Sequence, residues 1–211
     1  MNIEQTLIRG CKELNIQLIG NACEHLIAYL SLLGRWNLTY NLTAVRDPEA
    51  MVVKHLLDSL SILPWVSGPL ILDIGSGAGL PGIPLAIARS GCEFFLIDSN
   101  SKRTRFLIQV AAELHLKNVN VVNRRIQDYR PDMSFNSIVS RAFATLADMV
   151  VDAGRLCALD GRILAMKGIL PHNEILCLPR EYNIVGIYPL LIPNLDAERH
   201  LIHLSISRPV S

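Results

Sequence analysis

The chain reads as an α/β protein: a mainly parallel, seven-stranded sheet with helices on both faces, preceded by an N-terminal helical extension. Three observations predict this. Apolar residues recur at helical spacing up to about residue 63, short apolar runs then alternate with helical segments, and a glycine-rich turn follows the first of those runs.

In the extension, Leu26, Tyr29, Leu30 and Leu33 predict one helix, and Val52, Leu56 or Leu57, and Leu60 predict another. "RWNLTYNLTAVRDPEA" between them is rich in Asn and Thr, as turns and caps are. Asp47, Pro48 and Glu49 read as an N-cap, a first-turn proline and an early acid. "PWVSGP", Pro64 to Pro69, then divides the chain into an extension over 1–63 and a main domain over 64–211. In that domain Leu70–Ile74, Phe94–Asp98, Val119–Val122, Ser137–Ser140 and Arg162–Met166 read as strands. Leu80–Ser90, Ser101–Leu116 and Leu146–Leu159 read as the helices between them, which predicts right-handed βαβ units. Val185–Leu190 and His200–Ile206, joined by "IPNLDAER" with no long helix, predict a hairpin at the sheet edge.

Half of the 211 residues are hydrophobic, yet no apolar run approaches the length of about 18 that a membrane helix needs. With no signal-peptide pattern at the start, the chain reads as cytoplasmic. Its five cysteines are dispersed and odd in number, at neither metal nor redox spacing, and read as reduced, with Cys157 buried in a helix. No metal site is expected. The net charge of +1 means that a nucleic acid would be met by a local basic patch, not by the whole surface.

The turn itself, "LDIGSGAGLPG", carries the chemistry. A dinucleotide fingerprint needs a small residue at the third position after Gly75 and Gly77, where this chain has Leu80. A carboxylate, Asp73, ends the strand instead. It is poorly placed for a pyrophosphate and suits a ligand with an ammonium group. S-adenosylmethionine has one, together with a sulfonium and no phosphate. Asp98 ends the next strand 23 residues after Gly75, close to the spacing of about 20 at which a carboxylate bonds ribose hydroxyls.

Several segments, in order, are more specific: "WNLTYNLTAVRDPEAMVVKHLLDSL", "LDIGSGAGLPGIPLA", "LIDSNSKRTRFL", "SRAFATLADM", "LAMKG" and "ERHLI". From about Trp36 onward the chain resembles the bacterial ribosomal RNA small-subunit methyltransferase G family, also called glucose-inhibited division protein B. The resemblance implies a class I, Rossmann-like fold and S-adenosylmethionine-dependent N7 methylation of one guanine, guanine 527 in the 530 loop of 16S rRNA. It also implies cofactor contacts at Gly75, Leu80, Ile126, Gln127 and Arg141, and a small ribosomal subunit or its precursor as partner. Two positions depart from the family pattern: Leu80 stands where Phe is frequent, and Gln127 where Glu is common.

The other residues agree with that chemistry. The fourth strand ends in "VSRAF", without the Asn/Asp-Pro-Pro-Tyr/Phe that holds an exocyclic amine, and no cysteine is set to attack a pyrimidine ring. Guanine N7 carries its own lone pair, so alignment is the expected catalytic device and no general base is assigned. Arg141 is suited to hold the methionine end of the cofactor, or the target phosphate or guanine. Arg103, Lys167 and Arg199 are expected on the strand-end face as contacts to rRNA phosphates. His55 and Asp58, three apart, read as a helix-surface or capping pair, and Trp36 and Trp65 as packing anchors. A monomer is expected. The alternatives are a methyltransferase for a small molecule or another RNA, and a nucleotide-binding module that transfers nothing.

Overall fold

The computed structural model describes residues 2–141, 143 and 145–207. The extension opens with α1, Ile3–Glu13, capped by the Asn2 side chain, and α2, Ala22–Tyr40, which ends on Asn41 in the left-handed conformation. Asp47 then caps α3, Pro48–Met51, its carboxylate accepting from the Ala50 amide at 2.7 Å. This helix runs on without a break into a π-turn, Val52–Leu57, and a last α-turn, α4, Asp58–Leu60.

Seven strands follow: β1 Leu70–Ile74, β2 Glu93–Asp98, β3 Val119–Asn123, β4 Phe135–Arg141, β5 Cys157–Lys167, β6 Tyr182–Pro189 and β7 His200–Ile206. Their spatial order is β3-β2-β1-β4-β5-β7-β6, with β1 to β5 parallel and β7 antiparallel to both of its neighbours. The predicted edge hairpin is therefore present, with its second strand as the inner one. Among the described residues, four helices connect the strands: α5 Gly82–Ala88, α6 Ser101–Glu113, α7 Leu146–Ala153 and α8 His172–Leu176.

Successive strand residues face opposite sides of the sheet, and the core divides accordingly. Ile71, Phe94 and Leu96 pack with α5, α6 and the extension, whereas Leu72, Ile74 and Ile97 pack with α7. The extension helices share one apolar cluster with the first face: Leu26, Tyr29, Leu33, Leu56 and Leu60 are buried with Ile83, Phe106 and Leu107. Trp36 and Trp65 pack against that cluster.

The second half of the chain corrects one expectation. The helix read over Leu146–Leu159 stops at Ala153, a 3-10 turn covers Gly154–Leu156, and β5 starts at Cys157, ahead of the expected Arg162. Cys157 thus opens a strand. A break in register on β4 between Phe135 and Ser137 accommodates the extra residues of β5, and the apolar run around Leu156 gave no cue for it.

Candidate functional site

α5 lies on one face of the sheet and α7 on the other, so the connections leaving β1 and β4 diverge and a cleft opens at the strands' carboxyl ends. The glycine turn forms its centre. Gly75, Gly77 and Gly79 have φ of +65°, +57° and +91°, a backbone open to few other residues. At Gly79 a Cβ would also stand 2.6 Å from Ile83 Cγ1.

Five of the turn's amides and the first amide of α5 are taken up internally. Gly75 and Ser76 donate to the Ile97 carbonyl at 2.9 and 3.1 Å, and Gly77 donates to Asp98 Oδ2 at 2.9 Å. Gly79 and Leu80 donate to the Ser76 carbonyl at 2.7 and 3.0 Å. The first amide of α5, Gly82, donates to Asp73 Oδ2 at 3.0 Å. A phosphate-binding loop presents such donors to its ligand; here they already have partners.

Asp73 departs from its expected place. Strand period puts it on the same face as Ile71, towards α5, and it lies fully buried beneath the turn and in the wall of neither cavity described below. Burial pushes its carboxyl up to about 7, with the Gly82 amide acting in the opposite sense. A diphosphate is thus disfavoured for a reason other than the one the sequence suggests: the carboxylate fills the helix start that a diphosphate would use.

Two cavities share Gly75 and Arg103. The first, about 350 Å³, is lined by Gly75, Asp98, Arg103, Ile126, Gln127 and Phe143 among others. Asp98 accepts from the Asn100 amide at 2.8 Å and from Arg103 Nη1 at 3.4 Å, besides Gly77. Ile126 is buried in a 3-10 turn after β3, and Gln127 Nε2 donates to Asp152 Oδ2 at 2.6 Å. The second cavity, about 230 Å³, is lined by Leu42, Thr43, the turn residues Gly75–Ala78, Leu80, Arg103 and Arg141. Arg141 Nη1 donates at 2.9 Å both to the Lys54 carbonyl and to Asp58 Oδ2. The structure therefore brings Gly75, Gly77, Leu80, Asp98, Ile126, Gln127 and Arg141 to one cleft.

Of the expected RNA contacts, Arg103 stands between the two cavities. Lys167 pairs with Glu174 at 2.8 Å, and Arg199 Nε pairs with Asp58 Oδ1 at 3.1 Å. Within "VSRAF", Ala142 lies outside the described residues. The expectation for His55 and Asp58 is corrected: both are buried, because their helix is packed on α1 and under the tail. His55 Nε2 is 2.9 Å from Thr43 Oγ1. Burial, helped by the Arg141 guanidinium, lowers its pKa to about 4, so the ring is neutral at neutral pH.

Sequence reasoning missed Tyr29, Thr43, Asp58 and Phe143. Tyr29 Oη donates to the Ala78 carbonyl at 2.7 Å, so α2 braces the glycine turn. Tyr29 was legible as part of a helical apolar stripe, but nothing local marks its hydroxyl as the useful end. Among the described residues no group of three or more His, Cys, Asp or Glu is placed to hold a metal ion, and no helix is long and apolar enough to cross a membrane.

Residues 22–202 match the family model for rRNA small subunit methyltransferase G. This chain belongs to that family. It is 50% identical over 201 residues to ribosomal RNA small subunit methyltransferase G of Nitrosococcus oceani, covering 95% of this chain and 94% of the relative. It is 52% identical over 193 residues to the protein of the same name from Alkalilimnicola ehrlichii, covering 92% and 88%. The methyltransferase G match begins inside α2 and ends in β7, so Tyr29, Thr43 and Asp58 lie within it along with the cleft.

Solved structures show the same class I methyltransferase fold. Magnesium protoporphyrin IX methyltransferase of Synechocystis, solved with bound S-adenosylmethionine, is similar with a TM-score of 0.62 and 14% identity, over 85% of this chain and 97% of that one. Ribosomal protein L11 methylase of Lactobacillus delbrueckii is similar with a TM-score of 0.56 and 16% identity, over 72% and 77%.

Proposed function

We propose that the protein transfers the methyl group of S-adenosylmethionine to N7 of a guanine in 16S rRNA, guanine 527 of the 530 loop. One observation supports this reading beyond family membership: among the described residues, the Arg141 cavity is lined by no carboxylate, imidazole or thiol. Methylation of a ring carbon needs a nucleophile, and methylation of an amine requires a proton to leave. Guanine N7 has a lone pair and no proton, so a cavity that only aligns and dries the acceptor is sufficient.

The cleft fits the donor. Asp98, at the end of β2, is the acceptor for the ribose hydroxyls. Ile126 and the Gln127 backbone border the adenine, and Gly75, Gly77 and Leu80 lie along the methionine side. When bound, S-adenosylmethionine supplies an electrophilic methyl group on a sulfonium. Leu42 and Leu80 exclude water from the Arg141 cavity, and Arg141 orients the acceptor or the methionine end by its planar fork. Arg103, Lys167 and Arg199 contact rRNA phosphates. Register places Lys167 opposite His200, next to Arg199, which supports one shared face for the last two. The site of action is the cytoplasm and the acting form a monomer, for which light scattering should give the mass of one chain.

The test is transfer of radiolabelled methyl from S-adenosylmethionine to small ribosomal subunits isolated from cells lacking the protein, followed by chemical cleavage at 7-methylguanine. One labelled guanine in the 530 loop is expected. Label at another atom, or label on a small molecule without RNA, would refute the assignment. NADH should not compete for the cleft.

A further inference from the structure

The π-turn Val52–Leu57 interrupts an otherwise regular helix, and its consequence is visible in the hydrogen bonds. In an α-helix the amide of Asp58 would bond the carbonyl of Lys54, four residues back. Here it reaches the carbonyls of Val53 and His55. The Lys54 carbonyl instead accepts from Arg141 Nη1 at 2.9 Å, and the same guanidinium nitrogen donates to Asp58 Oδ2 at 2.9 Å. The other carboxylate oxygen, Oδ1, is held by Arg199 Nε at 3.1 Å, so the carboxylate, only 1% exposed, is fixed from both sides. The π-turn also delivers His55 to Thr43, a second lining residue of the Arg141 cavity. Single π-turns inside α-helices concentrate at functional sites, and this one has a specific local product.

We infer that the π-turn and Asp58 form a socket that positions Arg141 for methyl transfer, with Asp58 acting as a positioning residue through that guanidinium. The inference rests on the proposed reading of the Arg141 cavity, with Arg141 orienting the acceptor and not the methionine end. Asp58 lines neither cavity of the cleft, so its effect must pass through Arg141. Arg199 keeps the carboxylate from turning away. A side chain as long as arginine, held by a carbonyl and a carboxylate at once, loses the freedom to swing out of the cleft, which is what alignment demands.

The experiment is a double-mutant cycle of Asp58→Asn and Arg141→Gln on the full-length protein, read in two ways. With small subunits as acceptor, Asp58→Asn should lower kcat about 100-fold while KM for S-adenosylmethionine stays within about threefold. Adding it to Arg141→Gln should lower kcat no further. In the cofactor-free protein, the melting-temperature losses of the two single variants should sum to more than that of the double. Additive losses in both readings would overturn the socket, as would an unchanged kcat in Asp58→Asn. An unchanged kcat in Arg141→Gln would instead refute the placement of Arg141 in the cavity. If Asp58→Asn does not fold, Asp58→Glu, which keeps the charge on a longer stem, replaces it in both cycles and should again be non-additive with Arg141→Gln.

Discussion

The two cavities of the cleft are built in opposite ways. The Asp98 cavity comes from consecutive βα connections, and the bond that ties the first to the second, Gly77 to Asp98, joins residues 21 apart. The Arg141 cavity is closed by the extension: Arg141 meets Asp58 across 83 residues, and Arg199 meets the same carboxylate across 141. One end of the cleft is thus a local product of the doubly wound sheet, and the other exists because an N-terminal helix packs against that sheet. The local end is suited to holding a donor, which any protein of this fold can do. On the proposed reading the long-range end meets the methionine side of the donor and the acceptor together.

The comparison breaks most visibly at Asp98. On the proposed reading Asp98→Ala removes the acceptor for the ribose hydroxyls, and it unties Gly77 and Asn100, each held by a hydrogen bond to the carboxylate. Bonds to a charged group are worth about 1.5–3 kcal/mol each, so affinity for S-adenosylhomocysteine should fall about 100-fold by calorimetry. If affinity were unchanged and turnover alone fell, the division between a donor end and an acceptor end would be wrong.

The same contrast explains what could be read from the sequence. Strand-helix alternation, the glycine turn and the spacing of Asp98 are local patterns, and they predict the sheet and the meeting of Asp98 with the turn. Asp73 was assigned its neighbourhood but not its direction. Strand period fixes that direction, because Asp73 shares a face with Ile71 and so points to α5. Asp58 and Thr43 carried no signal, since an acid three residues after a histidine on a helix looks the same whether it faces water or two arginines. The π-turn was equally silent: nothing in "VVKHLL" separates it from an α-turn until Arg141 arrives from the sheet. The start of β5 was lost because an apolar run after a helix resembles its continuation.

A second prediction tests the surroundings of the cleft through pH, since two buried groups, His55 and Asp73, are shifted in opposite directions there. His55, lowered from 6.5 to about 4, binds no proton in the folded state over a range in which the unfolded chain does, so its contribution to stability is lost as pH falls through that window. Asp73, raised from 3.8 to about 7, does the reverse: its contribution is present at low pH and lost as pH rises through 7. Between about pH 4 and 6.5 the two offset each other. Relative to the parent protein, His55→Gln should make the melting temperature fall as pH rises across this window, and Asp73→Asn should make it climb. One proton corresponds to a slope of about 1.4 kcal/mol per pH unit. Parallel curves for the parent and both variants would mean that neither group is held as described.

Smaller effects ask how the extension is attached. Tyr29→Phe removes only the hydroxyl that donates to Ala78, a buried bond, and should lower stability by about 1 kcal/mol, with weaker cofactor binding as the turn loosens. Equilibrium unfolding in urea and calorimetry check both effects. A loss of stability with unaltered binding would make Tyr29 a brace for the core alone.

The smallest effect is the control for all of these. Arg35 of α2 and Glu113 of α6 form an ion pair at 3.4 Å, which in a drawing is the obvious tie between extension and sheet. Both side chains are largely exposed, 69% and 40%, where screening by water and salt leaves such a pair about 0–1 kcal/mol. Arg35→Ala should therefore shift stability by less than about 0.5 kcal/mol and leave kcat alone, although it cuts a contact spanning 78 residues. A loss as large as that of Tyr29→Phe would show that the extension is held from its surface. The expected near-silence would assign its attachment to what is buried: the apolar cluster, the Tyr29 hydroxyl and the Asp58 carboxylate, the last two of which reach the cleft.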